Sequence, residues 1–309
     1  MTLTPALDEI VAATIGCWPE HALFLEKSIT PRSEYSLLIT EQLSKAILKI
    51  VGTELAGFCL DYRKTCERLT EEEWFFRRND GYRFSRYVEV ADFVYHNPEF
   101  MRSYIRGLLI SQVLWKNHAE TMAYYRRNFV ETIPASGRHL EIGPGHGLSM
   151  HLAMSVHENS LFEGWDISET SLTETRHCLM ALGHDESMYK LLLNDASRAD
   201  EGSDAVVADR YDSVTISEVL EHTESPATIL AALQRLISKQ GRIFVNIPIN
   251  SPAPDHIFLF RSPEEVWALA HSGGFDIESH HEFPLTGYNL EKAMKLKATV
   301  SCAMILKKA

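Results

Sequence analysis

Nothing in the 309 residues reaches the ~20 consecutive apolar positions that a membrane-spanning helix needs. Met1 to Trp18 also lack the basic start and apolar core of a secretory signal, so a cytoplasmic location is expected. The five cysteines (Cys17, Cys59, Cys66, Cys178 and Cys302) are odd in number and form no C-x-x-C pair, which argues for reduced thiols. Basic residues are few. Thirty Lys and Arg stand against 42 Asp and Glu, a formal charge of −12, which disfavours a protein that grips nucleic-acid phosphates through a basic face. Internal repeats and low-complexity tracts are missing too. What remains, 45% hydrophobic and 23% charged, is ordinary for a soluble globular enzyme with room for one large domain or two modest ones.

Two halves carry different patterns. Residues 1–134 show helix-like spacing and little strand signal. Ser33 is placed to cap a helix over 34–51, with Leu37, Leu38, Leu43, Ile47 and Ile50 near one stripe. Thr70 with Glu73 reads as a capping box, and Pro98 suits the first position of a long helix to about Thr132. Ile133-Pro134-Ala135-Ser136-Gly137 is a plausible boundary. From residue 135 on, strands near 138–142, 161–166, 188–193, 211–217 and 241–248 alternate with helical stretches, which predicts a parallel sheet covered on both faces. Phe275–Glu278 and Ala298–Leu306 read as two further strands.

The most informative stretch is His139-Leu-Glu141-Ile-Gly143-Pro-Gly145-His-Gly147. An apolar strand ends in a carboxylate, and three alternating glycines follow, a loop that lets backbone approach a small molecule closely. Leu148 occupies the third glycine position of a dinucleotide fingerprint, which weakens that reading. With Glu141 two residues before the first glycine, the stretch instead resembles motif I of the class I S-adenosylmethionine (SAM) methyltransferases. Asp166, 23 residues after Gly143 at the end of the second strand, is placed to accept both ribose hydroxyls, with Ile167 beside it. Ser168 could cap the next helix by itself. Leu191-Leu-Leu-Asn194-Asp195-Ala196 is similar to the family's segment after strand three, which implies adenine contacts for the Asp195 side chain and the Ala196 backbone. Glycine usually precedes that aspartate in the family, and Asn194 stands there instead.

The resemblance runs in order from about 137 to 309. It implies a Rossmann-like class I methyltransferase sheet, mostly parallel with an antiparallel last strand, in residues 135–309. An all-helical domain over 1–134 would then act as a lid that selects the acceptor, and could also join two subunits as a homodimer. That half is rich in aromatic residues, among them Trp74, Tyr82, Phe93, Tyr95, Tyr104 and Tyr125, most of them core and a few able to line a pocket. Arg77-Arg78 and Arg126-Arg127 could meet an acceptor carboxylate or simply solvate helix faces.

A second constellation follows strand four: Ser217-Glu218-Val-Leu-Glu221-His222. On a helix Glu218, Glu221 and His222 would share a face, and Asp255-His256 lies 34 residues beyond, after strand five. This E-x-x-E-H plus distant D-H pattern resembles ubiquinone-biosynthesis O-methyltransferases and small-RNA 3′-terminal 2′-O-methyltransferases. That resemblance implies a divalent ion (Mg²⁺, Mn²⁺, Fe²⁺ or Zn²⁺) held by Glu218, Glu221, His222 and His256. The acidic balance favours a small acceptor over RNA. A metal-free site with His222 as base, helped by Glu218, stays open, as does a purely structural role for the segment. The expected activity is methyl transfer from SAM to a small molecule, most readily at oxygen. Transfer of another SAM carbon with release of methylthioadenosine, or a catalytically silent partner subunit, are the alternatives.

Overall fold

The computed structural model describes residues 4–198 and 210–309. Four helices open the chain: α1 Pro5–Cys17, α2 Ala22–Ile29, α3 Glu34–Val51 and α4 Leu55–Asn79. Short α5 (Tyr87–Val90) follows, then α6 (Pro98–Leu114) and α7 (Lys116–Tyr124). Ser33 caps α3 as expected, its hydroxyl accepting from Ser36 N at 3.1 Å, and Asn97 does the same for α6 through Phe100 N at 3.0 Å. Leu43, Ile47 and Ile50 are buried on α3, whereas Leu38 faces solvent.

Two helix expectations are corrected. Thr70 starts no helix: it lies inside the 25-residue α4, where its hydroxyl bonds back to Cys66 O at 2.8 Å. The helix from Pro98 also stops at Leu114, because Trp115 is extended at φ −91° and ψ 134°. A buried arginine explains the stop. Arg32 donates to the carbonyls of Val113 (2.9 Å) and Leu114 (3.1 Å), which removes the need for partners in a following turn. Burial lowers its guanidinium to about 10, so it stays charged at neutral pH.

The second half holds β1 (Arg138–Ile142), α8 (Leu148–Met154), β2 (Leu161–Asp166), α9 (Glu169–Ala181), β3 (Tyr189–Leu193) and β4 (Tyr211–Ser217). There follow α10 (Pro226–Leu236), β5 (Ile237–Ile249), α11 (Pro263–Ser272), β6 (Phe275–Pro284), α12 (Leu290–Lys295) and β7 (Val300–Lys308). The helical stretch expected between β3 and β4 falls largely on residues 199–209, outside the described residues. Strand order is β3-β2-β1-β4-β5-β7-β6, and β7 runs antiparallel to both neighbours. The described strands thus form a seven-stranded, mostly parallel Rossmann-like sheet with an antiparallel last strand, reached from a helical amino-terminal half.

Apolar burial ties the halves together. On one face Leu43, Ile47, Tyr62 and Ile110 share a core with Leu148, Leu179, Phe244 and Ile305. On the other, Leu233 of α10 and Val266 of α11 pack with Val214, Ile243 and Met304. The sheet is covered on both sides, so its carboxyl edge is where functional groups gather.

Candidate active site at the carboxyl edge of the sheet

The loop after β1 turns within five residues. Gly143 N bonds Trp165 O at 2.8 Å and Gly147 N bonds Pro144 O at 2.7 Å. Gly143 has φ 66°, and a Cβ there would meet Val219 Cγ2 at 2.5 Å. Gly145 (φ 51°) and Gly147 (φ 74°) are left-handed too, with Gly147 opening α8. The loop is pinned from α9 by Thr175 Oγ1, which donates to Gly145 O at 2.8 Å. Glu141, behind it, is buried, and burial pushes its carboxyl up to about 8.

Asp166 ends β2. Ser168 caps α9 with its own hydroxyl (Ser171 N, 3.3 Å), so Asp166 is not consumed by the cap. One of its oxygens accepts from Ser168 N at 2.8 Å, and burial raises the carboxyl to about 6. Ile167 beside it is exposed. At the neighbouring tip Asp195 accepts from Ser197 N at 2.8 Å, and Ala196 is buried. Tyr87 stands close to both acids. Burial, and then the carboxylates of Asp195 and Asp166, push its hydroxyl up.

The loops after β4 and β5 meet beside these tips. Glu218 has φ 55°, and only Leu220–His222 form a short 3-10 turn, so the segment is no regular α-helix. Glu221, His222 and His256 nevertheless bring one ligand atom each within 4.8 Å of one another. Glu221 Oε1 stands 3.6 Å from His222 Nε2 and 3.9 Å from His256 Nε2. These gaps exceed a hydrogen bond, whereas two ligand atoms each about 2.1 Å from one cation stand roughly 3–4 Å apart. His256 Nδ1 bonds Ser251 O at 2.6 Å and His222 Nδ1 bonds Asp255 O at 3.1 Å, so both Nε2 lone pairs turn toward Glu221. Both carboxylate oxygens of Glu221 are buried without a hydrogen-bond partner, and burial, then Glu218, raises its pKa well above the usual range. Burial, and then His222, lowers His256 to about 3.

Glu218 is held apart from these three ligand atoms. Asn246, the cross-strand neighbour of Ser217, donates to Glu218 Oε1 at 2.7 Å and to Ser217 Oγ at 3.2 Å. Burial raises Glu218 to about 8 against that bond.

Four tyrosines from the helical half close over this edge. Tyr95 OH lies 3.2 Å from His222 Nδ1, and Tyr104 OH donates to buried Asp255 Oδ1 at 3.2 Å. Tyr82 accepts from Ser251 N at 3.1 Å and stands edge-on to His256 at 5.8 Å. Tyr87 stacks on Tyr95, and its backbone N–H donates to Glu224 at 2.9 Å. Sequence reasoning marked these aromatics only as a group, because nothing in their spacing separates pocket from core. One arginine of each pair is engaged elsewhere: Arg77 pairs with Glu73 and Arg126 with Glu131.

Residues 114–295, more than half of the chain, match the methyltransferase domain family. The chain belongs to that family. Motif I and the strand order agree with the class I SAM-dependent methyltransferase fold. This methyltransferase is 26% identical over 137 residues to the ubiquinone biosynthesis O-methyltransferase of Photobacterium profundum, matching 44% of this chain and 54% of that protein. The chain therefore spans about half the length of that relative. Among solved structures it is similar to an O-methyltransferase of neocarzinostatin biosynthesis in complex with SAM and 2-hydroxy-5-methyl naphthoic acid (13% identity, TM-score 0.54, 78% of this chain and 68% of that one). The mitomycin 7-O-methyltransferase is similar too (13% identity, TM-score 0.53, 84% and 72%). At such identities these two report the shared fold. Within the methyltransferase no described helix is long and apolar enough to cross a membrane.

Proposed function

We propose that the methyltransferase moves the SAM methyl group to a hydroxyl oxygen of a small, flat acceptor. The observation that carries this reading is the Glu221–His222–His256 cluster, set at the β4 and β5 tips beside Asp166 and roofed by tyrosines. Asp166 would take the ribose hydroxyls, Asp195 and the Ala196 backbone the adenine, and the glycine loop the middle of the cofactor. Glu141 and Ser217 would support that floor from behind. Tyr82, Tyr87 and Tyr95 would give a planar acceptor its walls, which is how the first 134 residues would act as a lid. The likeness to ubiquinone-biosynthesis O-methyltransferases agrees with an oxygen acceptor, and the net charge of −12 disfavours RNA.

The reaction balances simply. The acceptor oxygen forms a bond to the methyl carbon, the carbon–sulfur bond breaks, and S-adenosylhomocysteine leaves with the electron pair on sulfur. The hydroxyl proton passes to a base. In-line positioning of oxygen and methyl is worth roughly 7–11 kcal/mol. A positioned base adds about 10²–10⁴ in rate, and His222 Nε2 is placed for it when no cation is bound.

The residues also fit a divalent cation. A buried carboxylate without a partner faces two imidazoles whose Nδ1 atoms are fixed by carbonyls. Glu221, His222 and His256 would hold it, with Glu218 adjoining, and two nitrogens in the set favour Zn²⁺, Fe²⁺ or Mn²⁺ over Mg²⁺. When bound, such an ion lowers the pKa of the acceptor hydroxyl.

Incubation with SAM and a panel of phenols and catechols is expected to yield a methyl ether and S-adenosylhomocysteine in equal amounts. Methylthioadenosine without a methylated product would overturn the reading. Dialysis against a chelator is expected to lower kcat. Unchanged turnover, with no metal in the purified protein, would sink the cation and leave His222 as the base.

A further inference from the structure

Glu218 is placed by two strands at once. β4 ends at Ser217, and Glu218 then turns left-handed at φ 55°, a conformation that a residue with this side chain seldom adopts. The turn carries Val219 to the glycine loop, where its Cγ2 fills the space that a Cβ on Gly143 would need. It also hands the Glu218 side chain to β5. Asn246 grips the residue twice there: its backbone carbonyl accepts from Glu218 N at 2.9 Å, and its amide nitrogen donates to Glu218 Oε1 at 2.7 Å.

The amide has only one way round. Its nitrogen also donates to Ser217 Oγ at 3.2 Å, and a reversed amide would set its oxygen against the Glu218 carboxylate. The Asn246 amide oxygen is buried without a hydrogen-bond partner among the described residues. A hydrogen bond is thus forgone, at the cost of a buried bare acceptor, while the nitrogen stays on Glu218. Asn246 cannot drift either, because it is buried in mid-sheet, paired with Ser217 of β4 and Ala303 of β7. Three residues further on, Glu221 has the opposite surroundings. Neither of its oxygens has a hydrogen-bond partner, and two imidazoles face it. One carboxylate of the E-x-x-E pair is tied and the other is free.

We propose that Asn246 is a positioning residue whose amide keeps Glu218 out of the cation's ligand set. Glu221, His222 and His256 are then the three protein ligands, and a coordination position stays open for the acceptor oxygen, as sites that do chemistry require. The inference rests on the cation reading above and departs from the four-ligand set that the resemblance implied. A fourth protein ligand would tighten the hold on the ion and close the position that the acceptor needs.

Titration of the full chain with Mn²⁺ tests this, with free ion read by electron paramagnetic resonance and ion-bound water by proton relaxation. Glu218→Gln should bind Mn²⁺ as tightly as the native chain, because no ligand is lost. Asn246→Ala should bind it at least about tenfold more tightly, since ligand number and charge set the affinity of such sites. Water relaxation per bound ion should fall in that variant, as the released carboxylate displaces water. Adding Glu218→Gln to Asn246→Ala should return both readings to native, which a merely structural role for Asn246 would not produce. A tenfold loss of Mn²⁺ affinity in Glu218→Gln would make Glu218 a fourth ligand and overturn the proposal. So would unchanged or weaker binding in a folded Asn246→Ala chain; if that variant fails to fold, the Glu218→Gln comparison decides alone. A native chain that holds no Mn²⁺ would overturn the cation reading and this inference with it.

Discussion

Glu221 is completely buried, with two oxygens unpartnered and two imidazoles within 4 Å. A site kept for packing alone would have favoured an amide or an apolar side chain there, because burying an unpaired carboxylate is costly. Glu221→Gln keeps the shape and removes the ligand charge. It is expected to abolish metal retention, measured by elemental analysis, while the metal-free variant unfolds at or above the native urea midpoint. Retained metal, or a fall in that midpoint, would count against the assignment. At this scale the sequence was uneven. The positions of Glu141, the glycines and Asp166 could be read because strand ends and left-handed loops restrict which residues fit. The placement of Glu218 could not, because its φ of 55° takes it off the helical face on which the spacing would have put it. Asn246, which holds it, is a mid-strand residue with no pattern of its own.

Among the elements, the break between α6 and α7 is the sharpest departure from the continuous helix that the spacing predicts. Arg32, from just beyond α2, sustains that break by donating to the Val113 and Leu114 carbonyls. Arg32→Met should therefore cost about 1–3 kcal/mol, the range for leaving buried carbonyls unsatisfied, measured as a lower urea midpoint with an unchanged slope. A variant as stable as the native chain would show that the break is set by α7 alone. The periodicity of 98–132 concealed the interruption because buried residues continue in phase on either side of it: Met101 and Tyr104 before, Met122 and Tyr125 after. The strands were easier. Each parallel strand is an apolar run ending at a turn, so β1, β2 and β4 were placed to the residue, whereas β5 begins four residues earlier than the apolar signal because Ser238, Lys239 and Gln240 are polar. Thr70 misled for a local reason, since a helix interior can satisfy a threonine hydroxyl as well as a cap can.

For the molecule as a whole, the buried titratable groups set a pH optimum for folding. Glu141, Glu218, Glu221 and Asp166 have raised folded pKa values, so the folded state holds extra protons and loses stability as pH rises from the ordinary carboxyl range toward about 8. His21, His118, His139, His146, His151 and His256 are lowered to about 3 or 4. Their contribution is complete above about 6.5 and fades as pH falls through about 4. Six imidazoles outweigh four carboxyls on the acid side, and the carboxyls act alone on the other. The metal-free chain should be most stable near about pH 6.5, read as the urea midpoint between pH 5 and 9. A midpoint still climbing at pH 8 would refute that distribution of charge. The roof over Asp166 has a kinetic corollary. Tyr87 is tethered to Glu224, and Tyr95 rests on His222, so a nucleoside held by Asp166 as proposed would lie beneath the space offered to its partner. On that proposal binding would form a queue, with the adenosyl compound going in first and coming out last.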